Sequence, residues 1–241
     1  MRQTANASIG SRLAAVDWAA AETALTEQGF CRLPNLLSRA ECLELRQLYG
    51  EAPRFRSVVD MARHRFGIGE YKYFAEPLPS LVAEARGQFY AHLAPFADRM
   101  SEALGRPERY PPELAAYRLH CAAHGQSKPT PLLLRYTEGG LNRLHRDLYG
   151  PLAFPLQVTV LLSEPGFEFA GGEFLLLENR PRQQAIGHAV PLRQGEAIVF
   201  AVNERPVAGS RGMLRASMRH GVSPLQGGER FALGLIFHDA A

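Results

Sequence analysis

Lysine is nearly missing from this sequence: of its 27 lysines and arginines, only Lys72 and Lys128 are lysines. Arginine suits bidentate recognition of carboxylates and phosphates, yet a biased genome composition yields the same excess. The net charge of +3 is too small to demand a polyanionic partner. Cysteine is scarce as well. Cys31, Cys42 and Cys121 are odd in number and far apart, which argues against a disulfide framework and fits reduced, mostly buried thiols. Long apolar runs are absent, so no segment is expected to cross a bilayer as a helix. The opening Met-Arg-Gln-Thr-Ala-Asn-Ala-Ser lacks the apolar centre of a signal peptide. The expectation is a cytoplasmic protein with no membrane partner. A phosphate loop is also missing: Gly139-Gly140 and Gly171-Gly172 are turn glycines, and no helix opening on Lys-Ser/Thr follows either.

What is present is an ordinary globular balance, 46% apolar and 21% charged over 241 residues. That suffices for one large domain or a core with an appended subdomain. Residues 9–28 carry apolar side chains at helical spacing, with Gly29 as a stop. Ser38 followed by Glu41 is a capping-box pattern opening a helix to about Tyr49. Leu78 to Leu104 predicts a long amphipathic helix, bent or split near Pro95. Pro111 and Pro112 start another, through about His124. Residues 54–74 interleave Arg54, Arg56, Arg63, Arg65 and Lys72 with Phe55, Phe66, Tyr71, Tyr73 and Phe74, and Gly67 and Gly69 suggest a hairpin or lid.

After Pro131 the texture changes. Leu132–Tyr136, Phe154–Leu162, Gly172–Leu177, Ala197–Val202, Arg215–His220 and Phe231–His238 are short runs between turn residues, the pattern of a sandwich or barrel. The expected fold is mainly β with flanking helices. A helical N-terminal region with a basic, aromatic hairpin (1–127) packs on a jelly-roll, cupin-like core (128–241).

The chemistry gathers in Tyr136 to Tyr149, which holds the only His-x-Asp of the chain, His145 and Asp147. On an extended strand, residues two apart share a face, so an imidazole and a carboxylate can converge on one metal ion. His220 lies far along the chain and must come from another strand. Two histidines and a carboxylate on one face of an octahedral ion form the facial triad of non-haem iron(II) oxygenases, with positions left open. Arg230, at the head of the last strand, offers a planar fork to a carboxylate, and Tyr136 can add a hydroxyl. Each has a plainer reading: a surface hydrogen-bonded pair, a surface charge, a core tyrosine. His120 and His124 read as ordinary packing and surface.

The ordered set Tyr136, His145-x-Asp147, Gly171-Gly172-Glu173-Phe174, Gly195-Glu-Ala-Ile-Val-Phe200, His220-Gly-Val222 and Arg230-Phe-Ala-Leu233 resembles the Fe(II)/2-oxoglutarate dioxygenases of the prolyl-hydroxylase-like type. Within them it is similar to a bacterial subgroup described as oxygenases acting on damaged nucleic acid, through Leu132-Leu-Leu-Arg-Tyr136, Phe154-Pro-Leu-Gln-Val158 and Phe237-His-Asp239. The resemblance implies a double-stranded β-helix with His145, Asp147 and His220 as iron ligands. It implies Arg230 as the anchor of the cosubstrate 2-oxoglutarate, O2 as the other cosubstrate, and hydroxylation of a C–H bond with release of succinate and CO2. In the subgroup this becomes oxidative demethylation of alkylated bases, with single-stranded or damaged DNA or RNA as partner. Peptidyl or small-molecule hydroxylation stays open, as does a non-catalytic sensor of metal or 2-oxoglutarate. Asn142, Gln157, Arg135 and Arg219 are candidate pocket or substrate residues, with plainer readings as a turn residue (Asn142), a solvated strand face (Gln157) and solvent-facing partners of the strands (Arg135 and Arg219).

Overall fold

Leu156–Leu161, Ala197–Ala201 and Arg230–Leu235 are buried at every position, which a strand achieves only when both of its faces are covered. They are neighbours within the largest of three sheets. The computed structural model describes residues 7–210 and 212–241.

The first half contributes α1 (Ile9–Ala14), α2 (Trp18–Gln28), β1 (Phe30–Leu33), α3 (Arg39–Gln47), β2 (Phe55–Asp60), β3 (Gly67–Ile68), β4 (Glu70–Phe74), α4 (Ser80–Ala103) and α5 (Leu114–Ala123). The second half is β5 (Leu132–Tyr136), β6 (Leu141–His145), β7 (Leu156–Leu161), β8 (Phe169–Gly171), β9 (Phe174–Asn179) and β10 (Ile186–Val190). It ends with β11 (Ala197–Ala201), β12 (Glu204–Gly209), β13 (Gly212–Val222), β14 (Leu225–Gly228) and β15 (Arg230–Leu235).

The larger sheet runs β1-β11-β7-β15-β5-β4-β2 and the smaller runs β10-β9-β13-β6-β3, with β12 alongside β13 and a short β14-β8 pair apart. The two larger sheets face each other across a cavity lined from both, a double-stranded β-helix. Strands from before residue 128 complete both sheets: β1, β2 and β4 join the larger, and β3 joins the smaller.

Local chemistry accounts for the helix ends. Ser38 accepts from the Glu41 backbone N–H (3.3 Å) while the Glu41 carboxylate accepts from the Ser38 N–H (2.7 Å), the reciprocal pair that opens α3. The single helix expected over 9–28 is two, because Asp17 accepts from the Ala20 N–H and restarts the turn. Gly29 closes α2 at φ 81°. Pro95 leaves α4 as one helix. Apolar positions of α4 enter the core at helical spacing, with Tyr90 against Phe154 and Phe237. The three cysteines are free and buried, and burial pushes the Cys31 and Cys42 thiols up to about 12.

The basic, aromatic stretch does form a hairpin, β2 with β4, but β4 is hydrogen-bonded along β5. Its basic residues are largely used structurally. Arg54 pairs with Glu51, Arg63 with Asp60, Lys72 donates to the Tyr49 carbonyl, and Arg56 donates to Pro129 and covers the Tyr73 ring.

Candidate active site

β6 supplies the first imidazole from its last residue, His145. β13 lies along one edge of β6 with His220 directly opposite His145, and a bulge follows between His220 and Val222. At the bulge the strands approach so closely that a Cβ on Gly221 would sit 2.6 Å from the Asn142 carbonyl oxygen, so only glycine fits. The two imidazole rings are 4.2 Å apart. Asp147 is not on the strand; it lies two residues beyond the end of β6. Shared pleat orientation is therefore not what brings it to His145, contrary to the strand expectation. From irregular chain beyond the strand, its carboxylate reaches both imidazoles, Oδ1 at 3.4 Å from His145 Nε2 and Oδ2 at 3.3 Å from His220 Nε2. One ligand atom from each of the three falls within 4.8 Å of the others.

The surroundings fix these groups. His145 Nδ1 donates to the Arg143 carbonyl (2.7 Å), which leaves the Nε2 lone pair directed inward. His220 is buried against Phe174 and Phe200. Burial works against ionised Asp147, but hydrogen bonds and charge from both histidines hold its carboxyl well below the usual carboxylate range. Burial likewise lowers His145, yet Asp147 outweighs it and the imidazole is raised. His220, more deeply buried and beside His145, is lowered. Such a focus of negative charge between two nitrogens is what a divalent cation takes over from a proton.

The floor of the same cavity, about 390 Å³ in volume, carries Tyr136, Gln157, Thr159 and Arg230. Arg230 stands opposite Tyr136 across the β15–β5 pair and is 1% exposed. Its guanidinium lies over the rings of Tyr136 (5.6 Å) and Phe169 (6.0 Å), with no salt bridge among the described residues. Burial lowers its pKa, with Tyr136 and Glu173 opposing. Arg230 Nε, the Tyr136 hydroxyl, the Gln157 carbonyl oxygen and His220 Nδ1 are buried without a partner. Buried polar atoms are normally satisfied; the three on Arg230, Tyr136 and Gln157, residues that line one cavity, suit a polar ligand, and a guanidinium beside a phenol suits a carboxylate. The donor set of two imidazoles and a carboxylate suits a first-row divalent ion such as Fe(II).

Asn142 lines this cavity. Arg135 and Arg219 do not. Leu132, Leu134 and Tyr136 turn inward from β5, so Arg135 projects to the opposite face, where it pairs with Glu229 (2.6 Å). Arg219 alternates with buried His220 and is exposed. The cavity residues without a role in the sequence reading include Arg143 and Arg146, close to His145 in the chain, and Tyr149, whose hydroxyl donates to Asp147 Oδ1 (2.7 Å). Arg143 had a signal, since residues two apart on a strand share a face; the other two lie in irregular chain. Arg65 and Phe66 complete the rim, brought there by the pairing of β3 with β6. His120 and His124 are an exposed pair joined through the His120 carbonyl (2.9 Å).

Comparisons with known proteins agree with this geometry. A family model described as "oxygenase, catalysing oxidative methylation of damaged DNA" matches residues 69–240. An uncharacterized protein found in two strains of Mycobacterium tuberculosis is 45% identical over 168 residues, covering 70% of this chain and 72% of that protein. Among solved structures, a Pseudomonas putida prolyl-4-hydroxylase aligns at TM-score 0.54 and 16% identity, covering 93% of this chain and 99% of the other. A 2OG-Fe(II) oxygenase family oxidoreductase of Burkholderia pseudomallei aligns at 0.54 and 16%, covering 94% of each. These two similarities are of fold. With the family model matching most of its length, the chain belongs to this oxygenase family.

Proposed function

We propose that His145, Asp147 and His220 hold the iron, that Arg230 and Tyr136 receive the distal carboxylate of 2-oxoglutarate, and that the substrate is a damaged nucleic-acid base. The observation that carries this is a metal-ligand triad within 4.8 Å, in one cavity with a buried guanidinium that has no carboxylate partner. Iron(II), bound with 2-oxoglutarate and O2, supplies oxidation of a substrate C–H bond with release of succinate and CO2.

The protein's own groups bind and orient. His145 keeps one tautomer through the Arg143 carbonyl. Arg230 and Tyr136 would exchange unsatisfied buried atoms for charge-assisted hydrogen bonds, and the apolar walls keep water from competing. Gln157 and Thr159, adjacent on the inward face of β7, would orient the anion or the substrate edge.

The substrate reading rests on the rim. Arg65, Arg143 and Arg146 line the mouth, and among the described residues the only carboxylate lining the cavity is Asp147. Arg65 adopts a left-handed backbone, φ 59°, which a non-glycine residue rarely does without a constraint or a use. Phe66 is 48% exposed beside it. Cations at a mouth with an exposed ring suit phosphates flanking an extruded base, and the cavity accommodates a base rather than a duplex. On a base N-methyl group, hydroxylation gives a hydroxymethyl that leaves as formaldehyde, restoring the base.

The test is succinate formation from 2-oxoglutarate with iron(II) in air, comparing single-stranded DNA carrying N-methylated bases with the same strand unmethylated. Methyl-dependent succinate and formaldehyde are expected. Turnover stimulated by peptides or small molecules and not by DNA would overturn the substrate, and cosubstrate binding without any turnover would point to a sensor.

A further inference from the structure

Asp147 is the one member of the triad that no strand pairing holds, since β6 ends at His145. Something else must aim its carboxylate. The Tyr149 hydroxyl donates to Asp147 Oδ1 at 2.7 Å, and an ionised carboxylate can only accept. Tyr149 is itself held on several sides. Its ring meets Tyr73 edge-on at 6.1 Å and lies 5.9 Å from His238, and its backbone carbonyl accepts from the Ala241 N–H (3.2 Å). Tyr73 is on β4 and buried, whereas His238 and Ala241 belong to the chain after β15. The hydroxyl is thereby fixed by parts of the fold far apart in sequence.

We infer that Tyr149 is a positioning residue: by occupying Oδ1 it makes Asp147 offer a single oxygen, Oδ2, to the metal. Oδ2 is the oxygen that faces His220 Nε2, at 3.3 Å. A carboxylate free to offer both oxygens would take up a coordination position that 2-oxoglutarate or O2 needs. The hydrogen bond also removes the carboxylate's freedom to rotate, which otherwise must be lost on binding the ion.

This role rests on the ligand assignment proposed above, and the experiment separates the two. Wild type, Tyr149→Phe and His220→Ala are titrated with iron(II) under anaerobic conditions, without and with 2-oxoglutarate. Affinity is read by calorimetry and the cosubstrate chelate by its visible absorption. Phenylalanine keeps the ring packing on Tyr73 and His238, so the unfolding midpoint of metal-free protein is expected to match wild type. Tyr149→Phe is expected to bind iron(II) about tenfold or more weakly, with a shifted or weakened chelate band. If Tyr149→Phe equals wild type in affinity and band while His220→Ala loses the metal, the positioning role alone is overturned. If His220→Ala also binds like wild type, the ligand assignment fails and takes the positioning role with it. Should the metal-free midpoint of Tyr149→Phe fall, Mn(II) spectra of the folded protein at low temperature decide: an unchanged coordination spectrum overturns the role and a changed one supports it.

Discussion

Three arginines are among the largest fully buried side chains, and the two regions that bury them do so in opposite ways. Where helices meet the sheets, each guanidinium has a carboxylate and backbone carbonyls as partners, with only Arg86 Nη1 left over among the described residues. Arg86 on α4 donates to Asp239 (2.7 Å) and to the carbonyls of Ile236 and Phe237. Arg205 donates to Glu178 (2.6 Å) and to the Thr26 and Glu27 carbonyls at the end of α2. In the cavity, Arg230 has aromatic rings and no carboxylate. An unpaired buried charge costs several kcal/mol. The paired arginines tie the structure together, and the unpaired one is the group proposed above to receive an anion.

Five substitutions would break or sharpen that contrast. The largest effect is expected from Asp239→Ala, which strands Arg86 and also releases Arg118 (2.8 Å). A loss of about 3–5 kcal/mol of folding stability is expected, measurable by urea unfolding; a loss below about 1 kcal/mol would show that the pairing matters little. Arg230→Ala should behave inversely. Stability holds or rises, while 2-oxoglutarate binding weakens by about 2–5 kcal/mol, read by calorimetry. Unchanged affinity would remove Arg230 from the cosubstrate's reach.

A third change concerns a buried base that remains neutral instead of finding a counter-ion. His238 accepts the Phe154 N–H at Nδ1 (3.2 Å), and burial lowers its pKa from 6.5 to about 4. Between these values the unfolded chain binds the extra proton. Its contribution is therefore complete above pH 6.5 and is lost as pH falls toward 4, by up to roughly 3 kcal/mol. Unfolding measured across that window should be less pH-dependent in His238→Gln than in wild type, and parallel profiles would refute the assignment. The smallest effects compare two exposed arginines. Arg143→Ala should weaken single-stranded DNA binding and lower its log–log salt slope by about one. Arg135→Ala, on the far face, should change neither and cost at most about 1 kcal/mol of stability.

Much of this was legible where the signal is local. Ser38 with Glu41, Gly29, and the runs at Leu132 and Ala197 are set by neighbouring residues, and their elements stand where the pattern puts them. β8, β10, β12 and β14 were not foreseen: β8 and β14 are short and rich in glycine, and β10 and β12 mix exposed with buried positions, so neither an apolar run nor clean alternation marks them. The sequence brings His145, Asp147 and His220 together by type and order, and they do converge. The reason assumed for Asp147 differs, because a strand ending at His145 looks the same in sequence as one continuing through it. Arg135 and Arg219 fail on alternation that was already available: once Tyr136 and His220 face inward, their neighbours face out. Tyr149 reaches Asp147 through irregular chain, where no periodicity speaks.

The edges of the sheets carry one more consequence. β1 caps β11, β4 caps β5, and β3 caps β6, the strand that bears His145. A fragment beginning at residue 128 would keep all three triad residues and Arg230, yet leave three strands with open hydrogen-bonding rims. Open rims recruit foreign strands, so such a fragment would cluster with its own copies before it could serve as a minimal enzyme.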